Sequence, residues 1–464
     1  FFSKSDRVMD WWQRMLPLQG RPARDDRLLG RRVPVSELEH APDPEQEDRV
    51  MLVRSRLSRI LFDRKLFDYP ITLNAGTLKN LGLRRLTRMG LAYLKVRLSP
   101  IREVNSLEDF FISRFGRELY ATFFRDYTEK VWGVPCREIK PEWGAQRVKN
   151  LSVTRVLVHA LRSLLGGDGS IRQKNLETSL IGQFLYPKLG PGQLWEEVAR
   201  RVTAGGGEMH LRHEVVGLRR RNGSVAAVEV VDRATGKTRA CAGDFFFSTM
   251  PMQDLFRRLD GVDPECRRVA DGLRYRDFIS VGVLVKRLRM RNVSGIRTLN
   301  GLIPDNWIYV QEPDVALGRL HVFNNWSPYL VQDPDTVWLG LEYFCTEGDA
   351  LWSRPDPEIA RLAAEELVRL EVIEPDSVLD STVIRMPKAY PAYFGTYDEL
   401  NVLREFADRI PNLFLIGRNG MHRYNNQDHS MLTAMQAVDH IVHGLASKGS
   451  IWDVNAGEDY HEER

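Results

Sequence analysis

The sequence predicts an α/β protein whose helical and strand-rich stretches are interleaved along 464 residues. Three observations predict this. Residues 186–251 read as a glycine-rich turn, an amphipathic helix and a run of short strands. Residues 275–345 read mainly as strands separated by loops rich in Pro, Asp and Asn. Residues 412–445 read as a short apolar strand, a Gly-Arg-Asn-Gly turn and a long helix. At about 150 residues per domain the length suggests roughly three units. Hydrophobic residues at 43% and charged residues at 28% fit a soluble globular chain. The apolar runs fall far short of the roughly 20 residues a membrane span requires.

Each element follows from local pattern. Val8, Met9, Trp11, Trp12 and Met15 recur at helical spacing within residues 1–30. Residues 36–50 are acidic and loop-like, and Val50–Arg54 and Arg59–Phe62 read as extended. Leu83, Leu86, Met89, Tyr93 and Leu94 then define a helix face, bordered by Arg84, Arg85, Arg88, Lys95 and Arg97. A membrane-surface helix carries such a pattern, and so does a solvated basic face. Ser106, followed three residues on by Asp109, signals a capped helix start. Helices are expected to continue to about residue 166.

Gly190 and Gly192 form a turn ahead of a helix through Leu194, Trp195, Val198, Ala199 and Val202, which Gly205-Gly206-Gly207 ends. Strands are expected at 208–218, 224–232 and 238–242, with hairpin signals at Asn222-Gly223 and Thr235-Gly236-Lys237. Phe245–Ser248 reads as a buried strand. Aromatics with polar tips are dense at 305–309, 324–327 and 338–344. They suit ligand stacking, although plain core packing uses the same residues. A helix is expected at 356–371. After the strand 412–416, a cluster of Asn, Asp and Ser caps the last helix. A helix start of this kind leaves backbone N–H groups facing forward, a seat for an anion or an electron-rich carbonyl.

Charge and cysteine narrow the class. A net charge of +4 is too small for a nucleic-acid footprint, so a small-molecule partner is expected. Cys136, Cys241, Cys266 and Cys345 are far apart with no C-x-x-C spacing. That argues against a disulfide framework or a zinc site and points to the cytoplasm.

Four blocks carry a resemblance. Tyr127-Thr128-Glu129-Lys130-Val131-Trp132-Gly133, the turn-helix-strand segment 186–218, Ala389-Tyr390-Pro391, and Gly417-Arg418 followed by Tyr424 together resemble the FAD-dependent flavin amine oxidase and protoporphyrinogen oxidase superfamily. Within it the likeness is to the UDP-galactopyranose mutase-like branch. The resemblance implies a Rossmann-like FAD-binding domain, discontinuous in sequence, with a helical insertion and an antiparallel β-sheet substrate domain. It places FAD-domain pieces at 1–50, 185–265 and 401–447, the substrate sheet at 51–78 and 270–400, the helical part at 79–170, and a tail at 448–464.

The implied cofactor is FAD. By resemblance, Val215 lies against the adenine, Gly417 and Arg418 near the pyrophosphate or flavin ring, and Asn426, Gln427, Asp428, Ser430 and Met431 near the ribityl chain and pyrimidine edge. Tyr127, Trp132, Arg147 and Tyr390 are implied substrate residues, and Arg418, Tyr390, Tyr424 and Tyr309 are the implied catalytic ones. Arg147 and Arg418 would supply charge for an anionic or nucleotide-sugar substrate.

Three departures qualify the likeness. No G-x-G-x-x-G follows a strand, so the first βαβ unit is expected to be truncated. Tyr309 stands where the mutases place an Arg. Asn425 and Asn426 replace the mutases' second Tyr and Asp. The readings that remain are an FAD-dependent oxidoreductase of the amine-oxidase type, a flavin-dependent sugar-nucleotide mutase, and a non-catalytic relative.

Overall fold

The computed structural model describes residues 1–69, 71, 75–141, 144 and 182–455. Its described strands are β1 (Met51–Ser55), β2 (Ser58–Phe62), β3 (Lys65–Asp68), β4 (Gln183–Pro187), β5 (His213–Arg221), β6 (Ser224–Asp232), β7 (Thr238–Ala242), β8 (Phe246–Ser248), β9 (Leu273–Val285), β10 (Trp307–Val310), β11 (Arg319–Val322), β12 (Val337–Cys345), β13 (Val378–Gly395) and β14 (Leu413–Leu415).

Strand alternation builds the larger unit. A seven-stranded sheet runs in the order β13-β9-β12-β11-β10-β2-β3. Ile279, Val281 and Val283 of β9, Ile308 and Val310 of β10, Leu320 of β11, and Leu339 and Leu341 of β12 point to one face. There they join Ile359, Ala363 and Leu367 of the helix Asp356–Arg369 in a single core. Each Val, Leu or Ile side chain there contributes about 1.5–3 kcal/mol on burial. The residues between them point to the other face, which is aromatic and charged. The sheet expected to be antiparallel is mixed: β10 pairs in parallel with β2, Ser58 against Trp307. Adding a strand from far away in the chain escapes the geometric constraint that makes hairpins antiparallel.

A second unit contains β5-β6-β7 as a meander and β8 beside β14 in parallel. Asn222 and Gly223 both take positive φ, as a tight two-residue hairpin turn demands. The helices Met252–Arg258, Pro264–Gly272, Leu400–Asp408 and Gly449–Asp453 share its core, through Leu255, Phe256, Val269, Leu403 and Phe406. Of the expected tail 448–464, the described part differs: Ile451 and Trp452 are buried in this core. A five-residue helix is too short to show periodicity in sequence.

The N-terminal helix Asp6–Met15 packs Val8 and Trp12 against Leu194 and Met431. The helical part contains Ala75–Leu98, Leu107–Phe115, Arg117–Phe123 and Arg125–Trp132. Ser106 caps the second of these by accepting from Asp109 N at 3.1 Å. Beyond Trp132 the described residues 133–141 hold a short 3-10 turn at Cys136–Glu138, and residues 142–143 and 145–166, Arg147 among them, lie outside the described residues. Two other boundaries moved. Tyr186-Pro187 ends strand β4 ahead of the turn, and β5 starts at His213, because Arg212 takes φ 59° and breaks the extended run.

Candidate functional site

The charged face of the seven-stranded sheet carries the first half of the site. Trp307 and Tyr309 of β10 stand opposite His321 and Arg319 of β11, and Arg319 stands opposite Glu342 of β12. Cross-strand partners share a face, so the five side chains converge. Arg319 Nη1 lies 3.1 Å from Glu342, its Nη2 donates to the Tyr127 hydroxyl at 3.2 Å, and its guanidinium sits 5.6 Å from the Tyr309 ring centroid. His321 Nε2 lies 3.0 Å from Glu342 Oε1. Tyr309 also contacts Tyr69 at 4.8 Å and Tyr127 at 5.3 Å, and Trp307 stacks on Trp326 at 5.5 Å.

The electrostatics follow from that geometry. Burial pushes the Glu342 carboxyl up, but Arg319 and His321 outweigh it and bring its pKa down to about 2. Burial opposes the Arg319 charge, and Glu342 with the surrounding tyrosines more than restores it. Burial raises Tyr127 to about 12, so it is a phenol and a donor at neutral pH. Among the described residues Arg319 Nε is buried without a hydrogen-bond partner, an unusual state for a charged group.

Lys130 supports this face from behind. Its ammonium donates to the carbonyls of Val310 at 3.3 Å, Glu312 at 2.6 Å and Leu317 at 3.1 Å, which pins the turn between β10 and β11. Burial lowers its pKa to about 8.

The second half sits where β8 and β14 end. Ligands of parallel α/β sheets bind beyond the carboxyl ends of the strands. Here those ends are Ser248-Thr249 and Ile416-Gly417. Gly417 has φ 75°, and a Cβ on it would point between Ser430 and Thr249, with contacts of 3.9–4.0 Å. Among the described residues the buried atoms Ser248 Oγ and Asn419 Oδ1 have no partner. The helix Gln427–His443 starts beside them. Asn426 and His429 form its capping box, which leaves the amides of Gln427 and Asp428 without intrahelical acceptors.

Arg418 joins the halves. Its Nε donates to Asn425 O at 2.8 Å and its Nη1 to Ala389 O at 3.1 Å. Its guanidinium lies 5.4 Å from the Tyr390 ring and 4.8 Å from the Tyr424 ring. Those two rings stack at 5.8 Å and 11°. Burial raises the Tyr390 phenol, so it stays protonated.

Tyr127, Tyr309, Tyr390, Tyr424 and Arg418 thus stand close together, although their roles rest on proposal. Other expected residues are placed differently. Trp132, expected at the substrate, is packed into the helical core with Phe111, Ile139 and Phe394. The same cluster includes Tyr390, with Tyr424 packed against it. The Met431 side chain is taken up by Trp12, whose Nε1 lies 3.1 Å from its sulfur. The Asp428 carboxylate accepts from Ser3 Oγ at 3.0 Å. Val215 is half-buried on β5, against the core beneath. Ser430 and Gln427 lie in the first turn of the helix Gln427–His443.

Arg319, His321 and Glu342 were missed. The available signal was the i, i+2 spacing of Trp307/Tyr309, Arg319/His321 and Glu342/Phe344. Read as strands, it puts charges and aromatics on one face. Among the described residues no group of three or more His, Cys, Asp or Glu is placed to hold a metal ion, and the four Cys are free.

No family model matches the chain. Among solved structures, a reduced UDP-galactopyranose mutase aligns at 20% identity over 88% of this chain and 83% of its own, with a TM-score of 0.69. Wild-type putrescine oxidase bound to putrescine aligns at 11% identity over 84% of this chain and 83% of its own, with a TM-score of 0.50. The likeness is one of fold: a Rossmann-like unit joined to a sheet-based unit.

Proposed function

We propose that this chain, which shares its fold with those enzymes, is an FAD-dependent oxidoreductase of the amine-oxidase type. It would hold a small substrate on the aromatic face of the seven-stranded sheet. One observation carries the reading: Arg418 runs from the strand end at Gly417 to Tyr390 of β13, so the expected cofactor seat and the aromatic face meet.

The residues present fit FAD. The open backbone at Gly417, the orphaned Ser248 and Asn419 oxygens and the free amides at Gln427 and Asp428 offer polar partners to a dinucleotide. Bound, FAD supplies reversible two-electron transfer, and the protein orients it and tunes its charge. The start of the helix Gln427–His443 favours negative charge nearby. Arg418 adds a fixed positive charge where the two halves meet. Tyr309, Trp307, Tyr390 and Tyr424 give flat apolar walls that exclude water and orient a substrate. Tyr127 and Arg319 are donors toward an anionic or carbonyl group. Glu342 holds the Arg319 fork in place.

The second reading is a flavin-dependent sugar-nucleotide mutase. The TM-score of 0.69 to a mutase favours it. So do the two arginines on the same aromatic face, because guanidinium forks match phosphate oxygens.

The test is direct. Protein purified from the full reading frame is mixed with FAD and its absorbance spectrum recorded. Absence of bound flavin sinks both enzyme readings. With flavin bound, stoichiometric consumption of an electron acceptor during turnover supports the oxidoreductase. Turnover that requires prior reduction, and ends with the flavin still reduced, supports the mutase.

A further inference from the structure

Among the described residues, the helix Ala75–Leu98 has one face that nothing packs against. Its inner side packs Leu81, Leu86 and Met89 against Ile60, Phe67 and Phe123, next to Tyr309. Its outer side presents Leu83, Leu91, Leu94 and Leu98, exposed at 82%, 63%, 53% and 78%. After the kink at Gly82 the helix turns about 100° per residue, which gathers these four leucines into an arc of about 80°. Thr87 separates Leu83 from the other three, which follow one another at i, i+3 and i+7; scattered surface leucines need no explanation, whereas such a row does.

Charge identifies what covers the stripe. Between Asp68 and Glu103 the sequence contains Lys79, Arg84, Arg85, Arg88, Lys95, Arg97 and Arg102, and no acidic residue. By the same helical geometry Arg84, Arg88 and Lys95 border the leucine stripe on one side and Arg97 borders it on the other. Arg85 points elsewhere, over the Phe62 ring and toward Asp63. A net charge of +4 on the whole chain is thus outweighed by one helix and its flank.

A protein partner would need a matching apolar groove with an acidic rim on both sides. A bilayer of anionic lipid presents both features at any point of its surface. Leucines enter the acyl boundary, and the long cationic side chains reach the headgroups beside them. No described helix is long and apolar enough to cross a membrane, so the fit is to the surface.

We propose that the outer face of Ala75–Leu98 docks the protein on an anionic lipid bilayer. Docking sets the site against the membrane, because the inner face of this helix packs beside Tyr309. That arrangement suits a substrate or electron carrier delivered from the lipid phase.

The experiment is co-sedimentation of the full chain with two vesicle populations: phosphatidylcholine alone, and equal parts phosphatidylcholine and phosphatidylglycerol. Binding at least tenfold tighter to the anionic vesicles is expected. Leu91→Ser with Leu94→Ser, and separately Arg84→Gln with Arg88→Gln and Lys95→Gln, should each weaken it several-fold, with the melting temperature unchanged. Equal binding to both vesicle types would overturn the proposal. A lowered melting temperature for the leucine pair would show that protein covers the stripe, and a wild-type dimer split by the leucine pair would assign the face to a second copy; either result also overturns it.

Discussion

Arg319 of β11 and Glu342 of β12 are direct cross-strand partners 3.1 Å apart, with both charges turned to the face that carries Trp307 and Tyr309. A charged pair taken out of water on a sheet face costs more than a hydrophobic pair would. Its retention at the centre of an aromatic surface argues for a role beyond stability.

The pair makes the fold sensitive to acid. Burial raises the Glu342 carboxyl, and Arg319 with His321 more than reverses this, from an ordinary 4.5 to about 2. A folded pKa below the unfolded one adds stability that is complete above pH 4.5 and lost as the pH falls toward 2. The amount is on the order of 3 kcal/mol. Urea midpoints measured at about pH 6 and about pH 3 should fall further for the wild type than for Glu342→Gln. Equal falls would remove Glu342 from the account.

Arg319→Lys is expected to impair turnover while flavin binding is unaffected. Lysine cannot span Glu342, the Tyr127 hydroxyl and a substrate oxygen together. Loss of one charged hydrogen bond, about 1.5–3 kcal/mol, corresponds to roughly 10–100-fold in kcat/KM. Steady-state kinetics beside a flavin titration separate the two effects. Unchanged kinetics would mean that Arg319 does not meet the substrate.

Gly417→Ala probes the strand end. The left-handed conformation at φ 75° costs a residue with a Cβ about 1–2 kcal/mol. The added methyl also enters the gap between Ser430 and Thr249. Fluorescence titration with FAD should show several-fold weaker binding, accompanied by a small fall in the melting temperature. Full affinity with lowered stability would place the cofactor elsewhere.

Lys130→Met should cost about 2–4 kcal/mol, because buried carbonyls at Val310, Glu312 and Leu317 lose a shared donor. The effect should concentrate in residues 310–317. Hydrogen exchange checks this: protection there should drop, while that of β5–β7 is kept.

Much of the Rossmann-like half was legible because its signals are local. Asn222-Gly223 gives a hairpin, Gly205-Gly206-Gly207 stops a helix, and Gly417 precedes a capped helix. The site was only partly legible. Tyr127, Tyr390 and Tyr424 entered through motif likeness, and Tyr309 as a departure from it. Arg319, His321 and Glu342 belong to no motif, and they converge only once β10, β11 and β12 are aligned in register. Trp132 likewise entered through its motif, and its burial in one cluster with Phe111, Ile139 and Tyr390 could not be read from that motif.

The parallel pairing of Ser58 with Trp307 also has a history in time. At about 5–20 residues per second, a ribosome releases β2 roughly 10–50 s before β10. Throughout that interval the β2–β3 hairpin has a bare strand edge, of the kind that recruits neighbouring chains. Closure over so long a stretch is slow in its own right. The aromatic face is therefore among the last parts of the molecule to assemble, and slower translation between the two strands would favour aggregation of the unfinished chain.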